Sequence, residues 1–147
     1  MGIRRKGREL ALQALYQIEI TGDASEQTFF ALWKSFEANP PTQAFALSLV
    51  RGVLERRAII DEIIAVAAEH WRIERLSRID INVIRIAIHE MTATDPLPVE
   101  IAINEAIEIG RRYGTIESPT FVNGVLDQVA KRLDLKRSRE SVATDDE

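Results

Sequence analysis

The 147-residue sequence predicts an all-α protein, and three observations carry that reading. Apolar residues recur at three- and four-residue spacing through most of the chain, the period of a helix with one buried face. Alternating polar and apolar runs of strand type are hard to find, and the one Asn-Gly pair, Asn123-Gly124, lies inside a helical pattern rather than between two strands. Prolines, glycines and capping residues punctuate the pattern into six to seven helices.

The first helix is expected over residues 4–20, with Leu10, Ala11, Ala14, Leu15 and Ile18 on one face and Gly22 in the usual place past its end. Ser25 can cap a second, over 25–38, carrying Phe29, Leu32, Trp33 and Phe36. Asn39-Pro40-Pro41 breaks the chain. Thr42 then opens a long segment to residue 69 whose stripe is Phe45, Leu49, Gly52, Val53, Ile60, Ile63 and Ala67, with Gly52 marking a close helix crossing or a kink. The pattern loosens over 70–77. Ser77 caps a helix over 78–92 that is apolar most of the way round and belongs at the centre of a bundle. The next, over 98–113, buries Val99, Ala102, Ile103, Ala106, Ile107 and Gly110. Ser118-Pro119 starts the last, to residue 133, with Val122, Val125, Leu126, Val129 and Leu133 inward. The expected organisation is an N-terminal helical subdomain (1–70), a C-terminal one (71–134) packed on it, and a disordered acidic tail (135–147).

Composition narrows the class. Hydrophobic residues make up 46% and charged residues 29%, the balance of a soluble globular chain. No apolar run approaches the ~20 residues of a membrane span, so no membrane partner is expected. The basic N-terminus lacks the apolar stretch of a signal peptide. The chain has no cysteine, which excludes disulfides, thiolate catalysis and cysteine-ligated metals and fits a cytoplasmic location. Charge is segregated: residues 140–147 hold four acids and no base, and without them the formal charge moves from −4 to 0. Arg4, Arg5, Lys6 and Arg8 crowd the other end, a local patch of the kind that attracts phosphates.

Catalytic chemistry has little to hold on to. His70 and His89 lack metal-ligand partners at fixed spacing, and neither a glycine-rich phosphate loop nor a nucleophile elbow is present. Glu105 and Glu108 read as solvated or paired with Arg111 and Arg112 at helical spacing. No enzymatic activity, cofactor or metal is therefore expected. Binding has more. At 100° per residue, Arg5, Glu9, Leu12 and Tyr16 share a stripe opposite Leu10, Ala14 and Ile18, so guanidinium and phenol share an outward face, the equipment of single-stranded RNA recognition. Tyr16 could instead meet another helix. Phe121, about 100° off the line of Val122 and Val129, is either the edge of the core or a stacking surface.

Four segments resemble the NusB transcription antitermination family, in order and across nearly the whole patterned chain: Arg4-Arg5-Lys6-Gly7-Arg8-Glu9-Leu10-Ala11-Leu12-Gln13-Ala14-Leu15-Tyr16, Arg85-Ile86-Ala87-Ile88-His89-Glu90-Met91, Ile101-Ala102-Ile103-Asn104-Glu105-Ala106-Ile107-Glu108, and Phe121-Val122-Asn123-Gly124-Val125-Leu126-Asp127. The resemblance implies two packed helical subdomains. It implies binding of the boxA element of ribosomal RNA leader transcripts, together with the ribosomal protein NusE, within an RNA polymerase complex that reads through terminators. It assigns RNA contact to Arg4, Arg5, Arg8, Tyr16 and Phe121, and places Asp80 and Glu117 at positions associated with partner binding. Gly7 stands where alanine is common, so the head is expected to be a weak helix start that orders on RNA. His89 stands where tyrosine is frequent. The acidic tail is outside the family pattern. Two other readings stay open: the N-terminal domain of a ribosomal RNA cytosine methyltransferase, which needs a following catalytic domain, and a helical bundle, monomeric or homodimeric alone, that binds only protein.

Overall fold

The computed structural model describes residues 2–36, 38–68 and 76–135. His70, the boundary at residue 70 and the acidic tail lie outside the described residues. Among those described, the chain forms seven helices, α1 (Gly2–Thr21), α2 (Glu26–Lys34), α3 (Pro40–Glu55), α4 (Arg57–Ala67), α5 (Arg78–Thr92), α6 (Val99–Tyr113) and α7 (Ser118–Arg132). None is long and apolar enough to cross a membrane.

Local chemistry sets most of the ends. Gly22 takes φ +75° just past α1 and donates its N–H to the Ile18 carbonyl at 2.8 Å, a left-handed position that costs glycine nothing. Asn39 caps α3 by accepting from Thr42 N–H and Thr42 Oγ1 at 3.0 and 2.7 Å. Pro40 and Pro41 therefore open α3 instead of merely breaking the chain, because the first turn needs no N–H donors. The segment from α3 onward is two helices rather than one. It breaks at Arg56 (φ −107°, ψ 14°), four residues past Gly52. Ser77 Oγ accepts from Asp80 N–H at 2.9 Å and starts α5. Ser118 lies inside α7, where its Oγ accepts from Thr115 N–H at 2.9 Å and ties down the turn.

One continuous apolar core runs through the molecule. α5 sits at its centre, touching α1, α3, α4, α6 and α7, and is buried at nearly every position. Its all-round apolar pattern demanded that place. α1 packs mainly on α3 and α5, and α6 on α7 and α5. Phe29, Phe30 and Trp33 pack ring against ring under α1, and Trp33 Nε1 donates to the Leu10 carbonyl at 2.9 Å. Two expected core residues face out: Phe36 follows the end of α2 and Leu133 the end of α7, so both are exposed.

α3 and α5 cross where Gly52 leaves room for the His89 ring. Arg56 donates Nη1–H to His89 Nδ1 at 3.0 Å and Nη2–H to Thr92 Oγ1 at 2.6 Å. Burial pushes the His89 imidazole below its ordinary value and the Arg56 charge adds to this, outweighing Glu90 and Glu55. A depressed folded-state value means that the unfolded chain takes up the proton first. The stability from neutral His89 is present above the ordinary imidazole value of about 6.5 and is lost as pH falls below it. Melting temperature is expected to decline from pH 7 to pH 5, and His89→Gln should flatten that decline. An equal decline in both proteins would assign it to other groups.

Candidate nucleic-acid interface

The basic head is a formed helix. α1 begins at Gly2 and runs through Gly7, so the expectation that the head orders only on RNA gives way to a preformed start. The reason for Gly7 lies across the helix pair. A Cβ there would stand 2.5 Å from Cδ2 of Phe45 on α3. With glycine in place, the Phe45 ring lies 5.0 Å from the Arg4 guanidinium and 5.6 Å from that of Arg8. Phe45 thus anchors the head where a methyl group would push it off.

The four basic residues of the head have different fates. Arg4 and Lys6 are exposed. Arg5 is part-exposed and makes a two-pronged pair with Glu105 of α6, Nε at 3.0 Å and Nη2 at 2.8 Å. The hydrogen bond from Arg5 holds the Glu105 carboxyl below its ordinary range against the effect of burial. Arg8 turns inward. It is 4% exposed, and its Nε and Nη2 grip Glu90 of α5 at 2.7 and 3.0 Å, with Nη1 3.6 Å from Glu105. The outward placement that the resemblance implies for Arg8 is therefore not what the fold does with it: its fork is spent inside the protein. Farther along α1, Arg85 of α5 joins Glu19 of α1 to Asp61 of α4, meeting Asp61 at 2.8 and 3.0 Å. Burial pushes the Glu19 carboxyl up, but Arg85 and Arg57 outweigh this and hold it low.

The outward stripe of α1 is only partly outward. Glu9 and Leu12 are buried, because α6 closes over the first and α2 over the second. Arg112 of α6 donates Nη1–H to Glu9. Tyr16, 40% exposed, lies in a largely apolar groove of about 380 Å³ with Leu12, Ile20, Leu32, Phe36 and Tyr113. A ring set there can stack a planar group without leaving its helix.

Asp80, Glu117 and Phe121, which the sequence divided between RNA and partner roles, line a single groove of about 770 Å³ at the α5–α7 end. Phe121 is half-buried: it packs on the core and also lines the groove. Asp80 is buried at the rim, and its Oδ1 has no hydrogen-bond partner among the described residues. A buried lone acceptor is costly until a donor arrives. Ile116, 96% exposed, stands beside it. Neither Ile116 nor the lone Asp80 oxygen was legible in the helical pattern. An isoleucine in a polar turn was the available signal.

These features define a class by fold: an all-helical protein that carries exposed basic residues and a part-exposed tyrosine on its first helix. The NusB family model matches residues 5–131, and the chain belongs to the NusB family. It is 45% identical over 131 residues to the transcription antitermination protein NusB of Anaeromyxobacter dehalogenans (strain 2CP-1), covering 88% of this chain and 92% of that one. Among solved structures, T. maritima NusB superposes with TM-score 0.78 at 37% identity, over 87% of this chain and 90% of that one. A crystal structure of the antitermination factors NusB and NusE in complex with dsRNA shares the fold, with TM-score 0.77 at 24% identity, over 90% of this chain and 98% of that one.

Proposed function

We propose that this chain is a cytoplasmic RNA-binding antitermination factor that takes boxA-type RNA jointly with NusE and promotes read-through by RNA polymerase. The observation that carries this reading is the composition of α1. Arg4 and Lys6 stand exposed on a preformed helix with Arg5 at its flank, and the same helix presents Tyr16 beyond them. Cations for phosphates and a ring for a base thus share one rigid element. Family membership and the antitermination role carried in the relatives' names supply the context. The role is binding rather than catalysis, and support comes from where charge is spent: Arg5, Arg8, Glu90 and Glu105 hold one another across α1, α5 and α6. Arg8 positions the head instead of touching RNA.

The groove of Asp80, Ile116, Glu117 and Phe121 is the proposed partner site. Ile116 offers an apolar anchor, and Asp80 Oδ1 an acceptor for a donor from NusE.

Titration of a short single-stranded boxA RNA across a salt series tests the RNA reading. The double variant Arg4→Ala, Lys6→Ala should lower the salt slope by roughly 0.7 for each phosphate it no longer neutralises. Tyr16→Ala should cost about 1–3 kcal/mol of binding. Unchanged affinity and slope in both variants would defeat the proposal. For the partner site, Ile116→Asp should weaken NusE binding while leaving RNA binding by the protein alone unchanged.

A further inference from the structure

Arg111 and Arg112 end α6 and lie outside the RNA reading of α1. They face Arg5 across a trough of about 410 Å³ whose walls are Arg5, Glu9, Glu108, Ile109, Arg111 and Arg112. Each arginine has an acidic partner: Arg5 has Glu105, Arg112 has Glu9, and Arg111 has Glu108. Pair by pair the charge is balanced. By placement it is not. In every pair the guanidinium is the more exposed member, with side-chain exposures of 32% against 19%, 63% against 7% and 58% against 49%. Glu9 and Glu105 sit behind their cations, whereas Glu108 is nearly as exposed as Arg111.

Arg112 is the best placed. Glu9, buried, takes one N–H of its fork and fixes the group, and most of the side chain faces water. A guanidinium carries five N–H donors in a rigid plane, so an arginine anchored on one side still offers a two-pronged grip on the other. Among the described residues Arg111 is held by a surface pair alone, which a phosphate can replace at little cost. Tyr113, the next residue, lines the same groove as Tyr16. The trough is thus continuous with the proposed RNA surface at both ends, through Arg5 and through Tyr113.

We infer that Arg111 and Arg112 form a second phosphate-contact patch for single-stranded RNA, so that a strand laid on the basic head crosses from α1 to the end of α6 on its way to Tyr16. The inference rests on the RNA reading above and extends its footprint.

The test uses the full chain and a fluorescently labelled single-stranded boxA RNA, read by anisotropy across a salt series. The double variant Arg111→Ala, Arg112→Gln should bind about tenfold more weakly. Its salt slope should fall by about 1.4, two single-strand phosphates. The glutamine side chain keeps a donor for Glu9, and a thermal melt checks that the fold survives. Should that protein fail to fold, Arg111→Ala with Arg112→Lys keeps Glu9 paired, and its slope should fall by about 0.7. A control, Arg51→Gln with Lys131→Gln, removes the same charge elsewhere and should change the slope little. An unchanged slope in the α6 variant, or an equal fall in the control, overturns the patch. Loss of binding on changing Arg4 and Lys6 but not Arg111 and Arg112 overturns the patch alone. Indifference to all four changes overturns the RNA reading itself.

Discussion

Replacing Arg8 with alanine is expected to lower folding stability by about 3–5 kcal/mol, seen as a fall in melting temperature of roughly 10–20 °C. Both members of the Arg8–Glu90 pair are buried, and two short hydrogen bonds join them. Removing one leaves a carboxylate away from water with no counter-charge, which costs far more than the pair itself contributes. Phe45 loses one of its two cations in the same step. The compensating experiment is Arg8→Met with Glu90→Leu, which removes both charges and should recover most of the loss. A fully stable Arg8→Ala protein with weakened RNA binding would return Arg8 to the surface role. This changes how the head is to be tested. Charge reversal at Arg5 and Arg8 together would set new carboxylates against Glu105 and Glu90, so a failure of RNA binding in that variant would report misfolding. Arg4 and Lys6 carry the clean test.

Elements governed by local rules were legible in the sequence. The apolar circumference of α5, the Ser77 cap and the Gly22 stop are set within one or two turns of chain, and the pattern shows them directly. Elements governed by a third neighbour were not. A helical wheel divides α1 into an inner and an outer face. Glu9 and Leu12 are nevertheless buried, because α2 and α6 cover part of the outer face. The pairs Arg8–Glu90 and Arg5–Glu105 join residues 82 and 100 positions apart, a separation no periodicity reaches. A signal did exist: Arg85 and Glu90 are charges inside a helix apolar most of the way round, and such charges need partners from elsewhere. The four family-like segments thus do two kinds of work. Arg8, Arg85, Glu90 and Glu105 lock helices together, whereas Arg4, Lys6 and Tyr16 face outward. Motif matching assigns function to the whole segment and does not separate the two.

Gly52→Ala should destabilise the protein by about 2–3 kcal/mol, against the usual direction of such a change in a helix. In an open helix interior, alanine gains up to ~1 kcal/mol over glycine. At this crossing the new Cβ would stand 2.1 Å from Cε1 and 2.3 Å from Nε2 of His89. Flexible tips can yield to such an intrusion, but this ring is held. Arg56 bonds its Nδ1 and also reaches Thr92, so moving the imidazole breaks the Arg56 bond or parts α3 from α5. Overpacking typically costs about 1–3 kcal/mol, and the broken hydrogen bond adds about 1 kcal/mol. Removing the obstacle reverses the sign. In a His89→Ala background, Gly52→Ala should be neutral or stabilising, since the added methyl enters the space that the ring vacates. The coupling from the double-mutant cycle should then be about 2–3 kcal/mol or more. Additive effects in that cycle, or a stabilised Gly52→Ala single variant, would show that α3 and α5 can separate without cost. The role of His89 as the packing partner of Gly52 would then fall.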